Sequence, residues 1–174
     1  MKTAILILIA LSLGWTACLP VDSTNSANNI TLEQFNSTTN SDNLGYRDTV
    51  YIPIYSSIYS KTKDVLFNLT ATLSIRNTSL YDTLYLDGID YYDTEGELVR
   101  AYLKEQQTLA LHPLQSIEYV IEEKDIVGGT SADFIIEWAA VSNQVKPIFQ
   151  GVMISTNGQQ GISFVTDGHS ISRR

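Results

Sequence analysis

Apolar side chains recur at every second position in four stretches of this chain. The clearest stretch has six apolar positions separated by polar ones: Val65, Phe67, Leu69, Ala71, Leu73 and Ile75. The same period returns within Ile117–Ile121, Phe134–Trp138 and Ile148–Ile154. Because successive strand side chains point to opposite faces, this period predicts half-buried β-strands. No long segment has a helical period, so an all-β chain is predicted.

Turn residues separate these runs. Asp93-Thr94-Glu95-Gly96 predicts a tight hairpin in which Gly96 supplies a positive φ, and His112-Pro113, Gly128-Gly129 and Asn157-Gly158 mark further reversals. Many short strands with one apolar face are best buried as two packed sheets. The predicted fold is therefore a single antiparallel β-sandwich of the immunoglobulin-like kind, with an open-ended barrel as the alternative. Pro53 lacks an N–H donor, which places Thr49–Tyr55 at a sheet edge or a bulge.

The N-terminus predicts export. Lys2 precedes the apolar run Ala4–Leu13, which ends in the small-residue segment Gly14–Ala17. This run is too short for a transmembrane helix, which needs roughly 20 apolar residues. Residues 1–17 are therefore predicted to be a signal peptide.

Cys18 is the one cysteine of the chain, and it stands where the signal peptide should be cut. Ala17 matches the small residue that precedes an acylated cysteine in bacterial lipoproteins, whereas Trp15 departs from the usual aliphatic residue. We expect lipid attachment at Cys18, which would hold the protein in the cell envelope facing the periplasm. Ordinary signal-peptide cleavage near Cys18 is the alternative.

Composition divides the rest of the chain. The segment 18–45 is rich in Ser, Thr and Asn and is predicted to be a flexible tether that begins at the lipidated cysteine. Residues 46–166 form the predicted sandwich domain, and 167–174 a C-terminal tail. With 11 Lys plus Arg against 19 Asp plus Glu and no basic stripe, nucleic acid is an unfavourable partner.

The sequence offers a group of acidic residues as a candidate metal site and two histidines as candidate catalytic bases. Asp90, Asp93 and Glu95 cluster around the central hairpin and supply the oxygen ligands that calcium prefers, but the match to a calcium loop is partial. Solvated turn carboxylates explain the same pattern, so no metal or other cofactor is predicted. The only histidines, His112 and His169, lie in a turn and near the terminus, and neither predicts a catalytic base.

Tyrosine is in excess, with ten residues in all. Tyr51, Tyr55 and Tyr59 share strand parity, so their rings could line a sheet face or edge as an interaction surface for protein or saccharide. Packing within the sheet is the simpler interpretation, since tyrosine has a high strand propensity.

Five segments in this order resemble a family of exported bacterial lipoproteins described only as a domain of unknown function: Tyr51–Tyr59, Leu73–Thr78, Asp90–Val99, Glu122–Asp125 and Gly158–Phe164. The resemblance spans about Tyr46 to Val165. It implies the fold and the envelope address, and it implies no catalytic residue.

The sequence therefore predicts a non-enzymatic envelope lipoprotein that acts as a binding or assembly module for another envelope protein. The alternative is a small envelope enzyme or a calcium-dependent accessory protein that uses Asp90, Asp93 and Glu95.

Overall fold

A computed structural model describes residues 36–37, 41–157 and 160–173. Within these ranges the chain forms a short 3-10 helix at Ser41–Asn43 and the strands β1 (Asn36–Ser37), β2 (Tyr46–Ile54), β3 (Ser57–Ser60), β4 (Thr62–Asn68), β5 (Thr70–Arg76), β6 (Leu84–Tyr92), β7 (Leu98–Ala101), β8 (Thr108–Leu111), β9 (Ser116–Ile121), β10 (Ala132–Ala140), β11 (Ile148–Asn157), β12 (Gln160–Asp167) and β13 (His169–Arg173). The predicted signal peptide 1–17 and Cys18 lie outside the described residues.

The strands form two main antiparallel sheets. The larger sheet has the order β1-β8-β6-β10-β2-β13, with β7 also paired to β6, and the smaller has the order β12-β11-β5-β9. Strands β3 and β4 pair only with each other as a hairpin. The predicted antiparallel sandwich is confirmed.

The core lies between the inner faces of the two main sheets. Along β2, Val50, Ile52 and Ile54 are buried while the residues between them are half-exposed. The rings of Trp138 on β10 and Phe149 on β11 lie 6.1 Å apart and join the two sheets. Burying each large apolar side chain contributes about 1.5–3 kcal/mol to stability. Because the sequence contains one cysteine, we attribute the stability of the fold to this interlayer core.

The longest alternating run is not one strand. It is divided at Leu69 into β4 and β5, and the Leu69 N–H donates to the Ser56 carbonyl at 2.9 Å. Val65 is exposed on β4, although its parity matches that of the fully buried Leu73 on β5. Alternation continues through the break, so the period of the sequence could not reveal it.

Pro53 led us to predict an edge strand or a bulge. The strand is not at a sheet edge, but Pro53 itself lacks a partner on one side. Strand β2 lies inside the larger sheet between β10 and β13, not at its edge. The ladder with β13 covers Asp48 to Tyr51 and stops before Pro53, which pairs with Asp133 on the other side alone. Because Pro53 has no partner on β13, its missing N–H removes no hydrogen bond from that ladder.

Both predicted ends of the domain need correction. The segment 18–45 was predicted to be tether, yet Asn36–Ser37 pairs with β8, and the Ser41 hydroxyl donates to Asp87 at 2.7 Å. The segment 167–174 was predicted to be a tail, yet it contains β13, which pairs with β2. Strand β1 consists of two polar residues and β13 has one apolar residue among five, so neither shows an apolar period of two. The described part of the chain contains no helix that is long and apolar enough to cross a membrane.

Candidate functional site

The outer face of the larger sheet brings together one residue of the acidic group, Asp90, and one residue of the tyrosine group, Tyr51. Residues opposite one another across the strands form the row Asp90, Ile135, Tyr51 and His169, on β6, β10, β2 and β13. Their chain neighbours on the three inner strands are buried, so alternation turns these four positions away from the core. Asp90 and Tyr51, 39 positions apart, thus flank a single isoleucine.

The rows on either side add carboxylates and a second tyrosine. Tyr92 on β6 lies opposite Asp133 on β10, and Glu137 lies opposite Thr49 on β2. We call the set Tyr51, Asp90, Tyr92, Asp133, Ile135 and Glu137 the acidic sheet face. Its residues are half-exposed except Glu137, which is exposed. The set holds three carboxylates and no lysine or arginine.

Burial changes the acid–base behaviour of two carboxylates on this face. The pKa of Asp90 is raised above 3.8 because burial disfavours its charged form. Burial also raises the pKa of Asp133, and the nearby Asp93 carboxylate raises it further. A cation that approaches the face would stabilise the charged forms of both carboxylates.

The two tyrosines of the face keep their protons. Burial raises the pKa of Tyr51, and the charge of Asp133 and the hydroxyl of Tyr55 add to the effect. The pKa of Tyr92 is raised by burial and then by Asp90, Asp133 and Glu137. Each ring therefore offers a hydroxyl donor beside carboxylate acceptors, which is the composition of a polar interaction surface with aromatic anchors.

The three tyrosines proposed from strand parity are not on one strand. Tyr51 lies on β2, whereas Tyr55 follows the end of β2 and its ring contacts Phe164 at 5.8 Å. Tyr59 lies on β3 of the separate hairpin and is 63% exposed. The reason is that the chain turns at the buried residues Ser56 and Ser57, which breaks the parity.

The hairpin carboxylates have separate roles. Oδ1 of Asp93 accepts hydrogen bonds from the backbone N–H groups of Glu95 at 3.0 Å and Glu97 at 2.9 Å, which closes the predicted turn. Gly96 has φ of 81°, as expected for its place in this turn. Glu95 is exposed at the tip, while Asp90 lies on the sheet face. Across the described ranges, no three or more His, Cys, Asp or Glu side chains are grouped to hold a metal ion.

Four residues of the acidic sheet face were missed by sequence reasoning: Tyr92, Asp133, Ile135 and Glu137. Three of them, Asp133, Ile135 and Glu137, occupy the outward positions of the alternating run in β10, where they alternate with the buried Phe134 and Ile136. Outward residues of a half-buried strand could have been collected from that run, but pairing them with Tyr51 and Asp90 required the register. His169 lies in the segment predicted to be a C-terminal tail, and the structure places it on β13 opposite Tyr51.

The fold is an all-β sandwich, and the outer face of its larger sheet carries the polar and aromatic side chains of the acidic sheet face. The chain belongs to the family described as Protein of unknown function (DUF3124), whose model matches residues 47–171. Among solved structures, the chain is similar to the crystal structure of Thermotoga maritima 1070, with 12% identity and a TM-score of 0.39 over 70% of this chain and 92% of that one. No curated protein matches the chain.

Proposed function

We propose that this protein is a non-enzymatic binding module of the bacterial cell envelope, and that its acidic sheet face binds a basic segment of a partner protein. One observation carries the proposal. Adjacent strands place the half-exposed residues Asp90, Ile135 and Tyr51 in one row on the outer face of the larger sheet.

The chemistry of the face supports a protein partner. Tyrosine combines a large apolar area with a hydroxyl and is enriched at binding hot spots, and Tyr51 and Tyr92 would serve as anchors. Asp90, Asp133 and Glu137 give the face a negative potential that attracts lysine and arginine side chains and steers their approach. The formal net charge of −8 for the whole chain acts in the same direction.

The proposed address rests on the N-terminal sequence. A signal peptide at 1–17 would export the chain, and acylation of Cys18 would anchor it to the membrane. The residues between Cys18 and the first strand of the domain would then set how far the face can reach from the membrane.

The test compares two substitutions of tyrosine by lysine. Tyr51→Lys puts a positive charge on the face, and Tyr81→Lys puts the same charge at a position that is 86% exposed outside it. Crosslinked capture from intact membranes should yield a partner with the wild type and with Tyr81→Lys. We expect about a tenfold lower yield with Tyr51→Lys, because like charges repel a basic segment.

A salt series completes the test. Raising the ionic strength before crosslinking should weaken capture by the wild type, since exposed charges are screened. Equal capture by both lysine variants would overturn the assignment of the face. Capture that increases with salt would overturn the basic character of the partner.

A further inference from the structure

A cavity of about 190 Å³ lies apart from the acidic sheet face. It is lined by the start of β2, by the loop that leads into β11 and by β13, and its walls include the rings of Tyr46, Trp138 and Phe149. We call it the aromatic cavity. At a share of about 30 Å³ per liquid water molecule, it holds roughly six waters, which is the size of a small organic group.

A buried carboxylate belongs to the lining of the cavity. Asp48 is 7% exposed, and its Oδ1 accepts hydrogen bonds of 2.8 Å from the Thr49 N–H and the Ser170 hydroxyl. Within the part of the chain that the structure describes, its Oδ2 accepts one side-chain hydrogen bond, a long one of 3.4 Å from the Tyr46 hydroxyl. No ion pair joins Asp48 to a residue whose side chain the structure describes. A buried carboxylate is costly unless charge or hydrogen bonds compensate it, so Oδ2 retains capacity for a cation.

The aromatic walls favour the same kind of ligand. The ring centroids of Tyr46 and Trp138 lie 5.3 Å apart, and those of Trp138 and Phe149 lie 6.1 Å apart. Aromatic faces carry negative charge density and attract cations, most strongly when water is excluded. Trp138 is 5% exposed, so a cation against its ring would be largely desolvated. Three rings and one carboxylate form the chemistry that recognises alkylated ammonium groups.

We propose that the aromatic cavity binds a small methylated ammonium group, with its charge near Oδ2 of Asp48 and its methyl groups against Trp138 and Phe149. Strongly hydrated metal cations fit this lining poorly, because it offers them one carboxylate among aromatic and aliphatic walls. Lys146 also lines the cavity, and its positive charge opposes the binding of a cation. Changing this charge therefore provides a second test of the proposal.

Tetramethylammonium is the probe, and Trp138 is the reporter. The chain has two tryptophans, so Trp15→Phe in the full-length protein leaves Trp138 as the only one. Titration of this variant with tetramethylammonium chloride should give a saturable change in tryptophan fluorescence. Sodium chloride at equal ionic strength and tert-butanol, a neutral molecule of similar shape, should give none. A response to tert-butanol equal to that of the cation would overturn the proposal, as would no saturable response.

Two substitutions in the Trp15→Phe background should move the affinity in opposite directions. Asp48→Asn keeps the size of the side chain and removes its charge, and it should weaken binding about tenfold. Lys146→Glu should tighten binding severalfold, because it replaces a repelling charge with an attracting one. Thermal unfolding shows whether each variant folds. If Asp48→Asn does not fold, an unchanged affinity in Lys146→Glu is the result that overturns the proposal.

Arg173 supplies the remaining control, because its backbone lies opposite Asp48 in the β2–β13 ladder. If the cavity is open to a ligand, Arg173→Gln should bind the probe at least as tightly as the background variant. Binding in Arg173→Gln alone would mean that the chain's own cation satisfies Asp48, and the proposal would fail for the natural protein.

Discussion

At the scale of single residues, two buried tyrosines, one on each main sheet, differ in the hydrogen bonding of their hydroxyls. Tyr91 is fully buried, and its hydroxyl shares a hydrogen bond of 2.9 Å with the Ser56 hydroxyl. Tyr119 is also buried, but its hydroxyl has no partner among the described residues. Burial raises the pKa of Tyr119 strongly, and the nearby Tyr102 raises it further. Both hydroxyls are thus neutral, and only one is satisfied.

Removing these hydroxyls should change stability in opposite directions. Tyr119→Phe deletes an unsatisfied buried group and should raise the free energy of unfolding by about 1 kcal/mol. Tyr91→Phe leaves the buried Ser56 hydroxyl without its partner and should lower that free energy by about 1 kcal/mol. Urea unfolding measures both. A loss of stability in Tyr119→Phe would mean that the hydroxyl is satisfied.

Asp90 gives a prediction that depends on pH. Its pKa is raised in the folded protein, so its charge costs stability once the pH exceeds the ordinary value of 3.8. Asp90→Asn should therefore raise the melting temperature at pH 7 and leave it unchanged at pH 3, where the carboxyl is protonated in both states. Asp64→Asn, at an exposed position of β4, is the control. The idea fails if Asp90→Asn changes stability equally at both pH values.

At the scale of elements, β13 closes one edge of the larger sheet. It covers β2 from Asp48 to Tyr51, and the N–H of Gly168 just before it donates to the Phe149 carbonyl at 2.9 Å. A Cβ on Gly168 would lie 2.6 Å from Val50 Cγ1, so the approach of this segment to the core requires glycine. The C-terminal residues are therefore part of the fold.

Deleting residues 168–174 should destabilise the domain. The loss of several ladder hydrogen bonds, at about 0.5–1.5 kcal/mol each, predicts a decrease of about 3 kcal/mol in the free energy of unfolding. The uncovered edge of β2 should also promote self-association, because unpaired strand edges recruit other chains. Urea unfolding and size-exclusion chromatography measure the two effects. Deleting Arg174 alone is the control, and equal stability of the long deletion would contradict the role of β13.

At the scale of the whole molecule, the predicted lipid anchor can be tested separately from the domain. Cys18→Ser removes the thiol that would carry the acyl chains, so the protein should move from the membrane fraction to the soluble one. Ala27→Ser, in the same N-terminal segment, should leave the distribution unchanged. Fractionation followed by immunoblotting reads the result. A Cys18→Ser protein that still pellets after a salt wash would place the anchor elsewhere.

Sequence reasoning reached the fold class and only parts of the sites. Alternation identified the inner faces of β5, β9 and β10, because burial on one side of a strand leaves a period of two in the chain. It also suggested Tyr51 and Asp90, but as members of two unrelated groups. Their common row depends on β10 lying between β2 and β6, and no local pattern encodes that order.

The sequence by itself determined the all-β class, the closing turn at Asp93–Gly96 and the acidic charge, because each depends on composition or on near neighbours in the chain. The tertiary structure decided the break at Leu69, the pairing of β13 and the joining of Tyr46, Asp48 and Trp138 around one cavity. These features depend on contacts between residues far apart in the chain. Such residues come into contact only when the strands pair in their native register. Their interactions therefore cannot be derived from the sequence of either strand alone.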